Sequence, residues 1–282
     1  MDKHLEEKLF KFLMMASLAI VVGSLLIVIA VVLWRGAPSL SLDMITQTPK
    51  GGYYLGKEGG ILNAIVGSLY LAFGSMLLAL AISLPAALSL QKDYIGKTKV
   101  AYYIRLSMDV LWGTPSIVYG AFGFIVMLYL GMRASLLGGI IVLTLLQLPI
   151  MIRAMEEVIK MVPVELKEAS YSLGATKFET TLGVVVRQTL PGIVTAALLA
   201  FGRGIGDAAS ILFTAGYTDS LPHSILDPVA SLPLAVFFQL GTPFPEVQAR
   251  AYASALILLI IVLALSITSR YLSKKYMKNI IR

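Results

Sequence analysis

Long uncharged apolar stretches alternate with short basic ones along this chain. The first stretch runs from Phe12 to Trp34. Its 23 residues cover about 34 Å at 1.5 Å per residue, enough for a hydrocarbon layer about 30 Å thick. A signal-peptide core is shorter and ends at a small-residue cleavage site, so this stretch reads as a retained span. Five more candidates follow, at about 62–90, 108–130, 134–152, 190–217 and 251–270. Leu130-Gly131-Met132-Arg133 reads as the tight connection between the third and fourth. A further uncharged stretch, Pro228–Pro245, carries four prolines, and its proline-free core Leu234–Thr242 is too short to cross. The pattern predicts an all-α membrane protein, one transmembrane domain over residues 1–282 with six spanning helices.

Basic residues mark the sides. With six spans both termini share one side, and 17 of the 23 Lys and Arg fall there, against five on the other. The positive-inside bias then places both termini, and the long loop 153–189, in the cytoplasm of a cell (inner) membrane. A seventh span would put the basic tail outside. Composition agrees with a membrane protein: 57% of residues are hydrophobic and the mean hydropathy is +0.83. The net charge of +7 is explained by the loops, with no aromatic-interleaved basic patch for nucleic acid. No cysteine is present, and the two histidines, His4 and His223, stand far apart, so no metal site is expected.

The loop 153–189 carries the most organised local signal. Pro163 suits a first helical position, and Val164, Leu166, Ala169 and Leu173 form an apolar stripe with Glu165, Lys167 and Glu168 off it. Gly174 can take the left-handed C-cap conformation. Thr176-Lys177-Phe178-Glu179 fits a capping box. The reading is two short helices bent at Gly174, a rigid knob between two spans. An amphipathic helix lying on the membrane surface is the alternative.

The stretch Glu168-Ala169-Ser170 followed by Gly174 resembles the cytoplasmic Glu-Ala-Ala loop of ATP-binding-cassette importer permeases. Glu168, Ala169 and Gly174 match, and Ser170 replaces the third residue. The resemblance implies a type I importer permease fold in which the first helix, carrying Glu165 to Ser170, is a coupling helix docking on an ATPase subunit. The family's Leu-Pro thirteen residues after the glycine is Val186-Arg187 here, while Leu190-Pro191-Gly192 is kept and is expected to open the fifth span.

Two further stretches resemble the phosphate (Pst-type) permeases. Gly113-Thr114-Pro115-Ser116-Ile117-Val118-Tyr119-Gly120 is similar to their third-span signature, with Gly113, Pro115, Ser116, Tyr119 and Gly120 matching. Phe201 to Thr214 is similar to their fifth-span pattern, with Asp207 where the family has Glu. Asp227–Pro233 and the overall length favour the A-type over the C-type subunit. The resemblance implies a permease subunit of an ATP-driven phosphate importer. Its implied partners are a second, C-type permease subunit, two ATPase subunits that hold the ATP and Mg, and an extracytoplasmic phosphate-binding protein. This chain itself is expected to hold no cofactor.

The fifth span also carries two charges. A charge at bilayer depth costs about 2.5–3.5 kcal/mol on insertion scales and normally faces the bundle interior or a wet path. Arg203 and Asp207 are four apart, so a helix sets them on one face, with glycines at 202, 204 and 206 clearing space. The guanidinium fork matches phosphate oxygens, so Arg203 reads as a phosphate contact with Asp207 holding or releasing it. A buried Arg203–Asp207 pair that only supports packing is the other reading. Asp109 reads as an interfacial cap, and Asn63 and Gln147 as interhelical hydrogen-bond formers.

The run Gln91–Thr98 ends like a phosphate-binding loop but lacks its first glycine and a preceding strand, so no ATP site is expected in this chain. A permease for another anion, such as phosphonate or sulfate, is the nearest alternative, and the Pro115–Gly120 stretch argues against it. An ion-coupled secondary transporter would show internal repeats, and Arg203 has no counterpart in the first three spans. An intramembrane enzyme has no nucleophile–base or metal-ligand set to support it.

Overall fold

The computed structural model describes residues 3–50 and 58–277; Lys57, Lys278 and Arg282, counted above among the loop charges, lie outside the described residues. Helix α1 (Lys3–Gly36) is followed by a short 3-10 turn at Ala37–Ser39, α2 (Leu42–Thr46) and a two-residue antiparallel pair, β1 (Pro49–Lys50) with β2 (Glu58–Gly59). Next come α3 (Leu62–Ser89), α4 (Lys99–Gly113), α5 (Ser116–Tyr129) and α6 (Leu136–Lys160). The chain continues with α7 (Val164–Ser172), α8 (Lys177–Thr180), α9 (Arg187–Gly206), α10 (Leu232–Leu240) and α11 (Pro245–Met277). Among the described residues five helical segments are long and apolar enough to cross a membrane, and a sixth span results if α4 and α5 count together.

The centre of the bundle is α3 against α6, with α9 closing one side. Small residues set the spacing, as membrane packing without a hydrophobic drive requires. Gly139 lies against Leu71, Gly74 against Ile140, and Gly192 against Val158. Polar residues are buried in the same seam. Gln147 Nε2 donates to Ser75 Oγ at 3.0 Å, joining α6 to α3, and Asn63 Nδ2 donates to the Thr218 carbonyl at 2.6 Å. The Gln147 bond is the interhelical one expected of it, whereas Asn63 ties α3 to the irregular stretch after α9. The first helix is peripheral: it leans on α11 where Gly36 meets the Tyr252 backbone and Arg35 reaches the Tyr252 hydroxyl at 3.2 Å. Helix α10, with Ser231 as its N-cap, is nine residues or about 14 Å long, too short to span.

Two expected spans are not single helices. The stretch 108–130 is broken: α4 and α5 meet at 103°. Pro115 offers no backbone N–H and turns Thr114 away from helical geometry, so α4 ends at Gly113 and Pro115 caps α5. The exposed Tyr102, Tyr103 and Trp112 give α4 the amphipathic aromatic surface of an interfacial helix. Asp109 is not a helix cap in this arrangement; its carboxylate accepts from Arg153 Nε of α6 at 2.9 Å.

The stretch 190–217 is helical only to Gly206, and beyond it the chain runs irregularly to Ser231. This segment is packed, not loose. Ile211, Ala215 and Val229 are buried with Leu71, Leu143 and Leu146. Its carbonyls also serve the start of α6: Ser135, Leu136 and Leu137 donate their N–H groups to Thr214, Asp227 and Ile225 at 2.9, 2.8 and 2.8 Å. Donors a helix start leaves orphaned are thereby satisfied by a distant part of the chain.

Candidate functional site

The knob between α6 and α9 is built as its local chemistry dictates, with one shift. Pro163 is the N-cap of α7, extended at ψ 136°, one residue before the first helical position expected of it. At the other end Gly174 adopts φ +85°. Its N–H donates to the Tyr171 carbonyl at 2.9 Å, and Ala175 N–H reaches back to Ser170 at 3.2 Å, the double bond of a Schellman end. Thr176 Oγ1 accepts from Glu179 N–H at 3.3 Å, while Glu179 Oε2 accepts from Thr176 N–H at 2.8 Å, completing the capping box that opens α8. Ser170, the departure from the family pattern, lies with its Oγ 2.8 Å from Thr180 Oγ1 and ties α7 to α8.

The apolar stripe of α7 is mostly open, with only Leu166 half-buried. No α7 residue is buried, Glu165, Glu168 and Ala169 are exposed, and Leu173 is 89% exposed with Val164 and Phe178 also open. Beyond α8 the chain widens into a π-helical turn, Thr181–Val186, that feeds directly into α9. Leu190-Pro191-Gly192 therefore lies inside α9 and does not open it.

The underside of the knob is held by residues that sequence reasoning passed over. Lys167 Nζ donates to Asp93 Oδ2 at 2.9 Å, and Lys177 Nζ to the Asp93 carbonyl at 3.4 Å. Tyr94 Oη lies 2.9 Å from Thr181 Oγ1 and donates to the Lys177 carbonyl at 3.3 Å. Burial, with Asp93 and Tyr94 nearby, pushes the Tyr171 phenol up. Asp93 and Tyr94 belong to the run that resembled a phosphate-binding loop; its side chains brace the knob instead, and Thr98 caps α4.

The signature residues converge on the bend and on the end of α9. Tyr119 Oη donates across the break to the Leu111 carbonyl at 2.8 Å, pinning α5 to α4. Gly120 has no Cβ, and the Ala209 and Ser210 carbonyls fill the place of one. Gly113, Pro115 and Ser116 form the corner itself. Asp207 is the C-cap of α9, in extended geometry, and its Oδ1 accepts from Ser210 N–H at 2.8 Å. Arg203 and Asp207 therefore do not share a helix face, and no ion pair joins them among the described residues. Arg203 instead lies exposed along a groove of about 490 Å³ between α9 and α11, with Thr195, Ser266 and Arg270.

A broken helix pair, a capped and exposed knob and a central α3–α6–α9 bundle are the frame of a multi-span membrane protein. Residues 83–278 match the family described as binding-protein-dependent transport system inner membrane components, and the chain belongs to that family. Its relatives include phosphate permeases. It is 33% identical to the phosphate transport system permease protein PstA of Yersinia pestis, covering 86% of this chain and 81% of the relative. To the PstA 1 protein of Mycobacterium tuberculosis (strain ATCC 25618 / H37Rv) it is 34% identical over 75% and 68%. To the probable ABC transporter permease protein YqgI of Bacillus subtilis (strain 168) it is 30% identical over 99% of both.

Solved structures share the fold. A bacterial alginate ABC transporter chain superposes with a TM-score of 0.67 over 99% of both chains at 12% identity. A chain of the MetNI methionine ABC transporter, in an inward-facing conformation, gives 0.64 over 77% of this chain and 95% of that one at 19% identity. The protein is a multi-pass membrane permease with the type I importer fold.

Proposed function

We propose that this chain is one half of the translocation pathway of an ATP-driven phosphate importer. The observation that carries the reading is Arg203: an exposed guanidinium with no hydrogen bond or ion pair among the described residues, on a spanning helix of a chain similar to phosphate permeases. At bilayer depth an unpaired cation is costly unless a partner or an anion meets it. The planar fork suits a phosphate dianion. The chain lies in the cytoplasmic membrane with both termini inside. A C-type permease completes the pathway, and an extracytoplasmic phosphate-binding protein delivers the substrate.

The knob supplies the power connection. Val164, Leu173 and Phe178, exposed beside Glu165 and Glu168, form an apolar surface with acidic edges that suits a groove on an ATPase subunit. ATP and Mg belong to two such subunits, and this chain brings no nucleotide site. Expressed with its partners and purified through a tag on this chain, it brings down an ATPase subunit. In vesicles made from that complex, Arg203→Gln abolishes phosphate uptake while the ATPase still co-purifies. Wild-type uptake by the variant leaves Arg203 a packing residue only.

A further inference from the structure

Among the described residues, one fully buried acidic side chain has no part in what precedes. The Glu156 side chain, on α6 close to the cytoplasmic end, is 0% exposed. Three cations surround it: Arg105 Nε at 2.7 Å, Lys160 Nζ at 3.2 Å and Arg153 at 3.5 Å. A carboxylate is retained in such a place only when it is paired on several sides.

Arg105 is the unusual partner. Its Nε donates to Glu156 of α6, its NH1 to the Gly96 carbonyl at 3.2 Å, and its NH2 to the Leu90 carbonyl at 2.8 Å. One guanidinium on α4 thus holds α6 and both ends of the 90–96 turn. The same turn presents Asp93 to Lys167 of α7 and Tyr94 to Thr181 beyond α8. A continuous chain of polar contacts therefore runs from the knob through the turn to α4 and α6. It bypasses the covalent route through the π-helical turn into α9.

We propose that Arg105 and Glu156, with Asp93 and Lys167, are positioning residues that lock the knob, the 90–98 turn and the cytoplasmic ends of α4 and α6 into one rigid body. Force delivered to α7 then reaches α4, and across the 103° corner α5, without waiting for α9 to move. This rests on the reading of α7 as the ATPase-facing helix. The role is mechanical, so the fork geometry of Arg105 matters more than its charge: a lysine keeps the charge and three donors, but on one nitrogen that cannot reproduce the spread of the fork.

The absence of cysteine in this chain gives a clean test. Spin labels on Ser172→Cys in α7 and Tyr102→Cys in α4, both exposed positions, report the knob-to-α4 distance in the assembled complex with its ATPase. The distance stays fixed between nucleotide-free and ATP-bound states in the otherwise wild-type chain, and shifts or broadens in Arg105→Gln. Phosphate moved per ATP hydrolysed in vesicles falls roughly tenfold in Arg105→Gln and by nearly as much in Arg105→Lys.

A distance that changes with ATP in the unaltered latch overturns the proposal, as does a fixed distance in Arg105→Gln. Full restoration by Arg105→Lys also overturns it, leaving Arg105 as mere charge balance for Glu156. If the Arg105 variants do not assemble, Asp93→Asn and Lys167→Gln, which change a partly exposed pair, must produce the same shift. A wild-type complex that hydrolyses ATP but moves no phosphate overturns the substrate reading alone, and the label distances still decide the latch.

Discussion

The knob at 163–180 and the segment at 207–231 both follow a spanning helix and both turn on glycine, yet their shapes are set in different ways. In the knob the bends are set locally, and only its underside is braced from afar, by Asp93 and Tyr94. A proline N-cap, a left-handed glycine and a capping box act within a few residues of one another, and no α7 side chain is buried. The 207–231 segment has little local logic. Its residues are apolar enough to continue α9, but Asp207 turns the chain aside, and its carbonyls complete α6 from more than seventy residues away. Local bonds make an element that keeps its shape while a partner pushes on it. Long-range bonds make an element that fixes how helices stand relative to each other.

Glycine substitutions break this comparison most sharply. A Cβ at Gly67 on α3 would collide with the Ala230 carbonyl, in the stretch just before α10. Backbone cannot step aside as a flexible side chain can, so Gly67→Val is expected to cost about 3 kcal/mol. The measurement is the amount of folded protein recovered from membranes and its thermal midpoint in detergent; a wild-type midpoint would mean that the 207–231 segment yields easily. At Gly174 nothing lies within 4 Å of a would-be Cβ, so only the φ of +85° opposes a side chain. Gly174→Asp is expected to cost about 1–2 kcal/mol, confined to the knob. Insertion stays normal while ATP-driven uptake falls. Normal uptake in that variant would remove the knob from the coupling path.

What could be read in advance follows the same division. The Gly174 bend and the Thr176–Glu179 box are short-range patterns, so they were legible residue by residue. The rejection of 228–245 as a span was equally local, because its prolines leave a helix only from Leu232 to Leu240. The corner at Pro115 carried a visible signal, a proline inside an apolar run, which hydropathy averaging hid. The end of α9 had only three alternate glycines and an aspartate to announce it; what stabilises the exit is Ser210, Thr214 and the start of α6, and no periodicity displays such contacts. Arg105 and Glu156 were least visible. As loop and span-end charges they fit the positive-inside pattern, and only the fold brings them to 2.7 Å.

Asp207 sharpens the comparison further with the smallest change. As a cap it needs only an oxygen for Ser210 N–H, and asparagine supplies one. Asp207→Asn should then leave both stability and uptake near wild type, whereas Asp207→Ala loses about 1 kcal/mol by freeing that N–H. If instead the carboxylate charge acts on a passing anion or on Arg203, Asp207→Asn changes uptake with no loss of stability. Measuring the thermal midpoint and phosphate uptake for both variants therefore separates the two roles, because the cap depends on the oxygen and the pathway role on the charge. The structure favours the first outcome. The carboxylate already accepts from its own turn at 2.8 Å, and Arg203 faces the α9–α11 groove without it.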